Sequence, residues 1–196
     1  MLRLSILLAI STLIIGCGPK NTAKGKDSQA LKTPSVTEKT LPDGLILQEV
    51  DLNDDGNSEI FNYYREREDA PRLLVRKDAD LNRDGNVDIK SWFADSGMLE
   101  MEEMDGDFDG QLDMWDHYQD TDGDGSPERV SSELDTDYDG KPDVFTYYRN
   151  GKVIRKERDT NGDDKIDHWE KYNENGEVVK SGRDTNFDGI VDERDT

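Results

Sequence analysis

The sequence predicts a mainly β fold, an extended array of β-hairpins joined by acidic loops. Three observations carry that prediction. A nine-residue acidic pattern, D-x-[DN]-x-D-G-x-x-[DE], recurs from residue 51 onward with only one departure from its consensus. The segments between copies are short and rich in aromatic and β-branched residues, the composition of strands. Glycine turns such as Ser96-Gly97, Asn150-Gly151 and Asn175-Gly176 divide the longer intervals in two, as hairpin turns do.

The chain before the array is different in kind. "MLRLSILLAISTLIIGCG" carries one positive charge, Arg3, followed by an apolar run from Leu4 to Ile15. That run is shorter than the roughly 20 residues of a bilayer span and suits the core of an export signal. Ile14-Ile15-Gly16-Cys17 resembles a bacterial lipobox, which implies a signal peptide over 1–16 and acyl chains on Cys17. Several acyl chains give stable membrane anchoring. Residues 17–44 then read as the lipidated cysteine and a flexible linker, because Lys, Thr, Ser, Pro and Gly follow one another there without period. Residues 45–196 form the repeat domain. Gly18 follows the cysteine, and the aspartate that retains lipoproteins at the inner membrane of enteric bacteria is absent. The expected location is therefore the cell envelope, at the outer membrane, on its periplasmic or its surface face.

Composition narrows the partners. The 196 residues carry a formal charge of −21, with 36% charged and 32% hydrophobic residues. So little apolar surface does not by itself offset chain entropy. Nucleic acid is excluded as a partner, since phosphate contacts need a basic face. Cations and basic macromolecules fit the charge. Cys17 is the only cysteine, so no intramolecular disulfide forms.

The acidic pattern has a chemical reading. The seven copies place candidate ligands at Asp51, Asn53, Asp55, Asn57 and Glu59 (loop 1); at Asp80, Asn82, Asp84, Asn86 and Asp88 (loop 2); and at Asp105, Asp107, Asp109, Gln111 and Asp113 (loop 3). They continue at Asp120, Asp122, Asp124, Ser126 and Glu128 (loop 4), and at Asp135, Asp137, Asp139, Lys141 and Asp143 (loop 5). The last two sets are Asp159, Asn161, Asp163, Lys165 and Asp167 (loop 6), and Asp184, Asn186, Asp188, Ile190 and Asp192 (loop 7). Positions 1, 3, 5 and 9 of these loops hold 24 of the chain's 46 carboxylates. Side chains at 1, 3 and 5 of a tight loop converge on one ion, residue 7 offers its backbone carbonyl, and the acid at 9 completes the set. Six to eight hard oxygen ligands describe calcium. Magnesium holds its waters and demands octahedral geometry, and zinc and copper favour the nitrogen and sulfur these loops lack. Up to seven calcium ions are expected. Without an ion, the same residues would still make Asx-turns between strands.

An EF-hand is not expected. That motif needs a glutamate at position 12 and a helix on each side, and among Asn62, Ser91, Asp116, Ser131, Thr146, Glu170 and Asp195 only Glu170 matches. "EIFNYY", "VDIKSWF", "DVFTYY" and "IDHWEKY" read as strands instead. The 15-residue intervals that begin at Asp105 and Asp120 leave room for one strand each, whereas the intervals of 24 to 29 residues hold two. Aromatics recur at position 11 (Phe61, Trp115, Phe145, Trp169) and position 14 (Tyr64, Phe93, Tyr118, Tyr148, Tyr172). Stacked between units they would make a thin core; exposed, they would make a carbohydrate-binding stripe. Loop 6 is the odd copy, with Asp164 where the others have glycine, and the expectation is a weaker or distorted site there.

"DTDGDGSPE", "DTDYDGKPD" and "DGDFDGQLD" resemble thrombospondin type 3 repeats and related calcium loops of secreted bacterial proteins. The likeness covers the loops and not the strands, and the cysteines that staple the animal repeats are absent. "YYRNGKVIRKERD" and "YNENGEVVKSGRD" look like repetitive hairpins of bacterial surface lipoproteins. The resemblance implies an extracytoplasmic, calcium-stabilised repeat protein and no reaction. No phosphate-binding loop, G-x-S-x-G or H-E-x-x-H occurs. His117 and His168 fall in different units at different offsets. The expected function is a non-catalytic envelope module of structural or adhesive type, with an envelope or extracellular macromolecule as its partner. A calcium buffer or sensor is the alternative, and a calcium-dependent hydrolase a remote third.

Overall fold

The computed structural model describes residues 33–195. The expected signal peptide and Cys17 lie outside the described residues. All regular structure among the described residues is β: β1 (Ser35–Thr40), β2 (Ile46–Asp51), β3 (Ile60–Arg65), β4 (Leu73–Ala79), β5 (Ile89–Phe93), β6 (Leu99–Met104), β7 (Met114–Gln119), β8 (Glu128–Leu134), β9 (Val144–Arg149), β10 (Lys152–Arg158), β11 (His168–Tyr172), β12 (Val178–Arg183) and β13 (Glu193–Asp195). They form one 13-stranded antiparallel sheet in sequence order. The mainly β hairpin array is thus the fold.

The repeat begins earlier than expected. Thr37, Glu38 and Lys39 of β1 pair with Glu49, Gln48 and Leu47 of β2, within a stretch read as linker. "SVTEKT" alternates polar and β-branched residues, so it works as an edge strand even though it has no apolar face of its own. The turn after it, Leu41–Leu45, is closed by Leu41 N–H to Leu45 O (2.8 Å) and Gly44 N–H to Leu41 O (3.0 Å). The turns at 94–98 and 173–177 repeat that pattern, with Gly97 and Gly176 at positive φ. Asn175-Gly176 therefore sits in a five-residue connection. Asn150-Gly151, with φ of +51° and +69°, is the two-residue turn with both central residues left-handed.

Five hairpins carry one extra residue at the same place. Register shifts fall opposite Tyr63/Tyr64, Trp92/Phe93, His117/Tyr118, Tyr147/Tyr148 and Lys171/Tyr172, leaving Val75, Glu100, Val130, Ile154 and Val179 unmatched. A bulge raises local twist and re-aims the strand end.

The thin core expected from stacked aromatics takes another form. Residues three apart on a strand point to opposite faces, so positions 11 and 14 do not meet. Among the described apolar side chains only Leu47 and Leu73 are buried. Stability comes instead from cross-strand neighbours on each face. One face carries a row in register: Glu49, Phe61, Asp78, Lys90, Glu103, Trp115, Glu133, Phe145, Glu157 and Trp169. Nearly every acid there lies beside an aromatic or a lysine. On the same face Arg76 makes a two-pronged contact with the buried Asp78 (2.6 and 2.5 Å) and lies between the rings of Tyr63 and Trp92 (4.7 and 4.8 Å). The opposite face carries polar links: Asn62 to Gln48 (3.0 Å), Ser91 to Glu102 (3.1 Å), Arg129 to Asp116 (2.8 Å) and Arg158 to Glu170 (3.3 Å).

Candidate metal centres

Strand parity decides where each acidic loop lies. Successive connections of an antiparallel meander alternate between the two ends of the strands. Loops 1, 2, 3, 5, 6 and 7 follow even-numbered strands and share one end of the sheet. Loop 4 follows β7 and lies at the other end, with the turns at 41–45, 94–98, 150–151 and 173–177 and the longer connection 66–72.

The six loops are joined in a row. The position 1 N–H of each loop donates to the position 9 carbonyl of the loop before it: Asp80 to Glu59, Asp105 to Asp88, Asp135 to Asp113 and Asp159 to Asp143 at 2.8 Å, and Asp184 to Asp167 at 2.9 Å. Within each loop the position 9 N–H returns to the strand just before position 1, as from Asp113 to Met104 O (2.8 Å). Side chains cross between loops as well. Arg83 of loop 2 meets Glu59 of loop 1 (3.4 Å), and Lys141 of loop 5 meets Asp164 of loop 6 (2.5 Å). A cavity of about 400 Å³ separates loops 1 and 2, lined among others by Asp55, Glu59, Asp80, Arg83 and Asp84.

All seven loops share one backbone course. Position 6 is left-handed in every copy, at φ from +83° to +97° in the six glycines and +64° at Asp164. Position 4 is left-handed too, at Asp54, Arg83, Phe108, Gly123, Tyr138, Gly162 and Phe187. The sequence gives little sign of that second reversal, because five of the seven residues are not glycine. The reversals turn successive N–H groups inward, as in an anion-binding nest. The position 1 carboxylate accepts from the position 6 N–H at 2.7 to 3.1 Å in loops 1 to 5 and 7. In loop 6, Asp159 takes the N–H groups of Asn161 (3.0 Å) and Gly162 (2.8 Å). In every loop the position 5 carboxylate accepts from the position 7 N–H.

Position 9 separates the row from loop 4. Along the row its carboxylate reaches back to position 2, as in Leu81 N–H to Asp88 (2.5 Å), Gly106 N–H to Asp113 (2.6 Å) and Thr136 N–H to Asp143 (2.8 Å). In loop 4, Glu128 takes the Thr121 hydroxyl. Position 9 is buried in five row loops and exposed at Asp192.

Three groups of carboxylates bring ligand atoms within 4.8 Å of one another: Asp105, Asp107 and Asp113; Asp120, Asp122 and Asp124; Asp135, Asp137 and Asp143. These groups are positioned to hold a metal ion. They belong to the three loops with aspartate at position 3. Burial pushes the carboxyls of Asp107 and Asp137 above their ordinary range, and neighbouring carboxylates add to the rise. Loops 1, 2, 6 and 7, with asparagine there, show the reverse. For Asp51 and Asp159 burial alone would raise the pKa, but backbone N–H groups outweigh it and the net shift is downward. The Asn86 N–H holds Asp84 low, and the Thr185 hydroxyl does the same for Asp192. Two of these loops contain orphaned oxygens. Asp88 is 1% exposed and its Oδ1 has no partner; Asn53 Oδ1 is also buried without one. A buried oxygen with no donor fits a cation ligand.

The two histidines do not meet. His117, on β7, pairs with Glu133 (3.3 Å), and His168, on β11, is buried, which lowers its pKa. The chain matches no family model and none of the curated proteins.

Proposed function

We propose that this protein binds calcium in its seven loops, and that the six loops of the row load as a coupled unit which stiffens the sheet. One observation carries the reading: the position 1 amide of each row loop is hydrogen-bonded to the position 9 carbonyl of the loop before it, so neighbouring candidate sites share backbone. An ion that orders one loop orders an anchor of the next. The donor set supports calcium in particular, since it is oxygen throughout and flexible in number. Seven ions would change the formal charge from −21 to −7. Sites poorly formed in the unfolded chain make binding free energy into folding free energy.

The reading extends to a non-catalytic envelope lipoprotein. Acyl chains on Cys17 anchor it, and the stiff sheet is held away from the membrane as a structural or adhesive module. Support comes from the lipobox-like "IIGC". Calorimetric titration of the full chain with calcium tests the proposal. Up to seven ions bound, with a thermal melt that a chelator lowers, is the expected result. No binding up to several millimolar calcium, beyond the affinity range of extracellular modules, refutes it. A buffer or sensor would instead change shape across the ambient calcium range, while a structural module stays loaded there.

A further inference from the structure

The acid-bearing row on one face ends abruptly at β11. Phe61 lies between Glu49 and Asp78, Trp115 between Glu103 and Glu133, and Phe145 between Glu133 and Glu157. Trp169 has Glu157 on one side and Gly182 on the other, with Arg194 beyond. The adjacent row changes as well. Where Tyr63, Trp92, His117 and Tyr147 stand at position 13, the last unit has Lys171, directly opposite Lys180. A cavity of about 280 Å³ lies here, lined among others by Trp169, Lys171, Lys180, Val191 and Arg194; its one acid, Glu170, accepts from the Tyr172 hydroxyl (2.6 Å) and Arg158 (3.3 Å).

Two features of that cavity ask for an explanation. Like charges directly across a strand pair are destabilising, yet Lys171 and Lys180 are so placed, and Arg155 lies opposite Lys171 on its other side. Acids are abundant, but the nearest one in the row, Glu157, is held by Arg155 (2.6 Å) and the Tyr147 hydroxyl (3.3 Å). Gly182 is not needed for backbone freedom, since its φ is not left-handed. Packing sets it instead: a Cβ there would come within 3.1 Å of Val191 Cγ1 and 4.0 Å of the Trp169 ring, so those two side chains close over the glycine. The other units carry Asp78, Glu103, Glu133 and Glu157 at this place in the register, so the last hairpin lacks the acid that would face these cations.

We infer that this cavity binds an anionic saccharide, its ring stacked on Trp169 and its carboxylates met by Lys171, Lys180 and Arg194. The indole supplies a flat apolar surface for the C–H face of a pyranose. The two ammonium groups and the guanidinium supply the charge complement. A macromolecule of repeating acidic sugars is the kind of ligand an envelope module would meet. The cations stand on β11, β12 and β13, although Val191 belongs to loop 7; the inference does not need calcium in the loops, and its choice of a polysaccharide rests on the envelope reading above.

The test is calorimetry of the full chain with oligogalacturonate, alongside a neutral dextran oligosaccharide and anionic phospholipid vesicles, all in calcium. Oligogalacturonate binding that weakens with salt, with no binding of dextran, is expected. The double variant Lys171→Gln/Lys180→Gln, at two exposed positions whose charges repel, should keep the fold and lose affinity at least about tenfold. Trp169→Phe should weaken binding less. Calcium bridging from the acidic loops would leave the lysine variant at full affinity, and that result overturns the assignment. So would equal binding of dextran, binding of the vesicles alone, or no binding of oligogalacturonate.

Discussion

Loops 4 and 5 are nearly the same peptide, DTDGDGSPE and DTDYDGKPD, and they have different surroundings. Asp135 and Asp143 of loop 5 are buried, and Asp143 takes the Thr136 N–H, the Thr136 hydroxyl and the Asp137 N–H at 2.8, 2.7 and 3.3 Å. Asp120 and Glu128 of loop 4 are only half-buried, and loop 4 has no neighbouring acidic loop at its end of the sheet. Local sequence sets the backbone course that both share. Chain length between loops sets everything else. An interval of 15 residues adds one strand and moves the next loop to the far end, whereas two strands return it to the row. The row intervals are 29, 25, 30, 24 and 25 residues once loop 4 is left out. The irregular spacing of the seven copies is thus a regular row plus one loop in a turn position.

The comparison breaks most readily at position 9. Asp88→Ala removes a buried carboxylate that holds Leu81 and Asn82 N–H groups, and should cost about 2–4 kcal/mol in urea unfolding. Glu128→Ala in loop 4 should cost under about 1 kcal/mol. Equal costs would mean that the row adds nothing. Backbone strain should instead be the same in both settings. Gly140→Val and Gly125→Val, at φ of +89° and +83°, should each lose about 1–3 kcal/mol in the same assay. A large gap between them would place the strain outside the loop. Next in size is the charge at position 3. Asp107→Asn should shift the calcium-dependent melt, because loop 3 is in the row, while Asp122→Asn should remove one bound ion from the titration and leave the melt in place. The smallest effect is at Asp164, which already adopts φ of +64° and pairs with Lys141. Asp164→Gly should relieve about 1 kcal/mol of strain, partly offset by loss of that pair. A modest rise in loop 6 affinity is expected, and a fall would show that the pair matters more than the strain.

The loops and strands were legible because each rests on local chemistry: Asp-x-Asn/Asp-x-Asp-Gly makes a turn wherever it lies, and "EIFNYY" makes a strand. The row was not legible, since it depends on counting strands across the whole meander. The second left-handed position escaped for another reason. Arg83, Phe108, Tyr138 and Phe187 carry no sign of it, and only the convergent carboxylates around them make the conformation tolerable. β1 was hidden by its polarity, which befits an edge strand and reads as linker. The aromatics were recognised as structural, but their three-residue offset places them on opposite faces of one sheet rather than in a shared core.

Residue-resolved amide hydrogen exchange during a calcium titration tests the coupled row most directly. The amides of Asp80, Asp105, Asp135, Asp159 and Asp184 all donate from one row loop to the next, and should gain protection together, at one calcium concentration. The Gly123 and Gly125 amides of loop 4, which donate to Asp120, should follow their own curve. Row amides that respond one by one, or that are equally protected without calcium, would contradict the account.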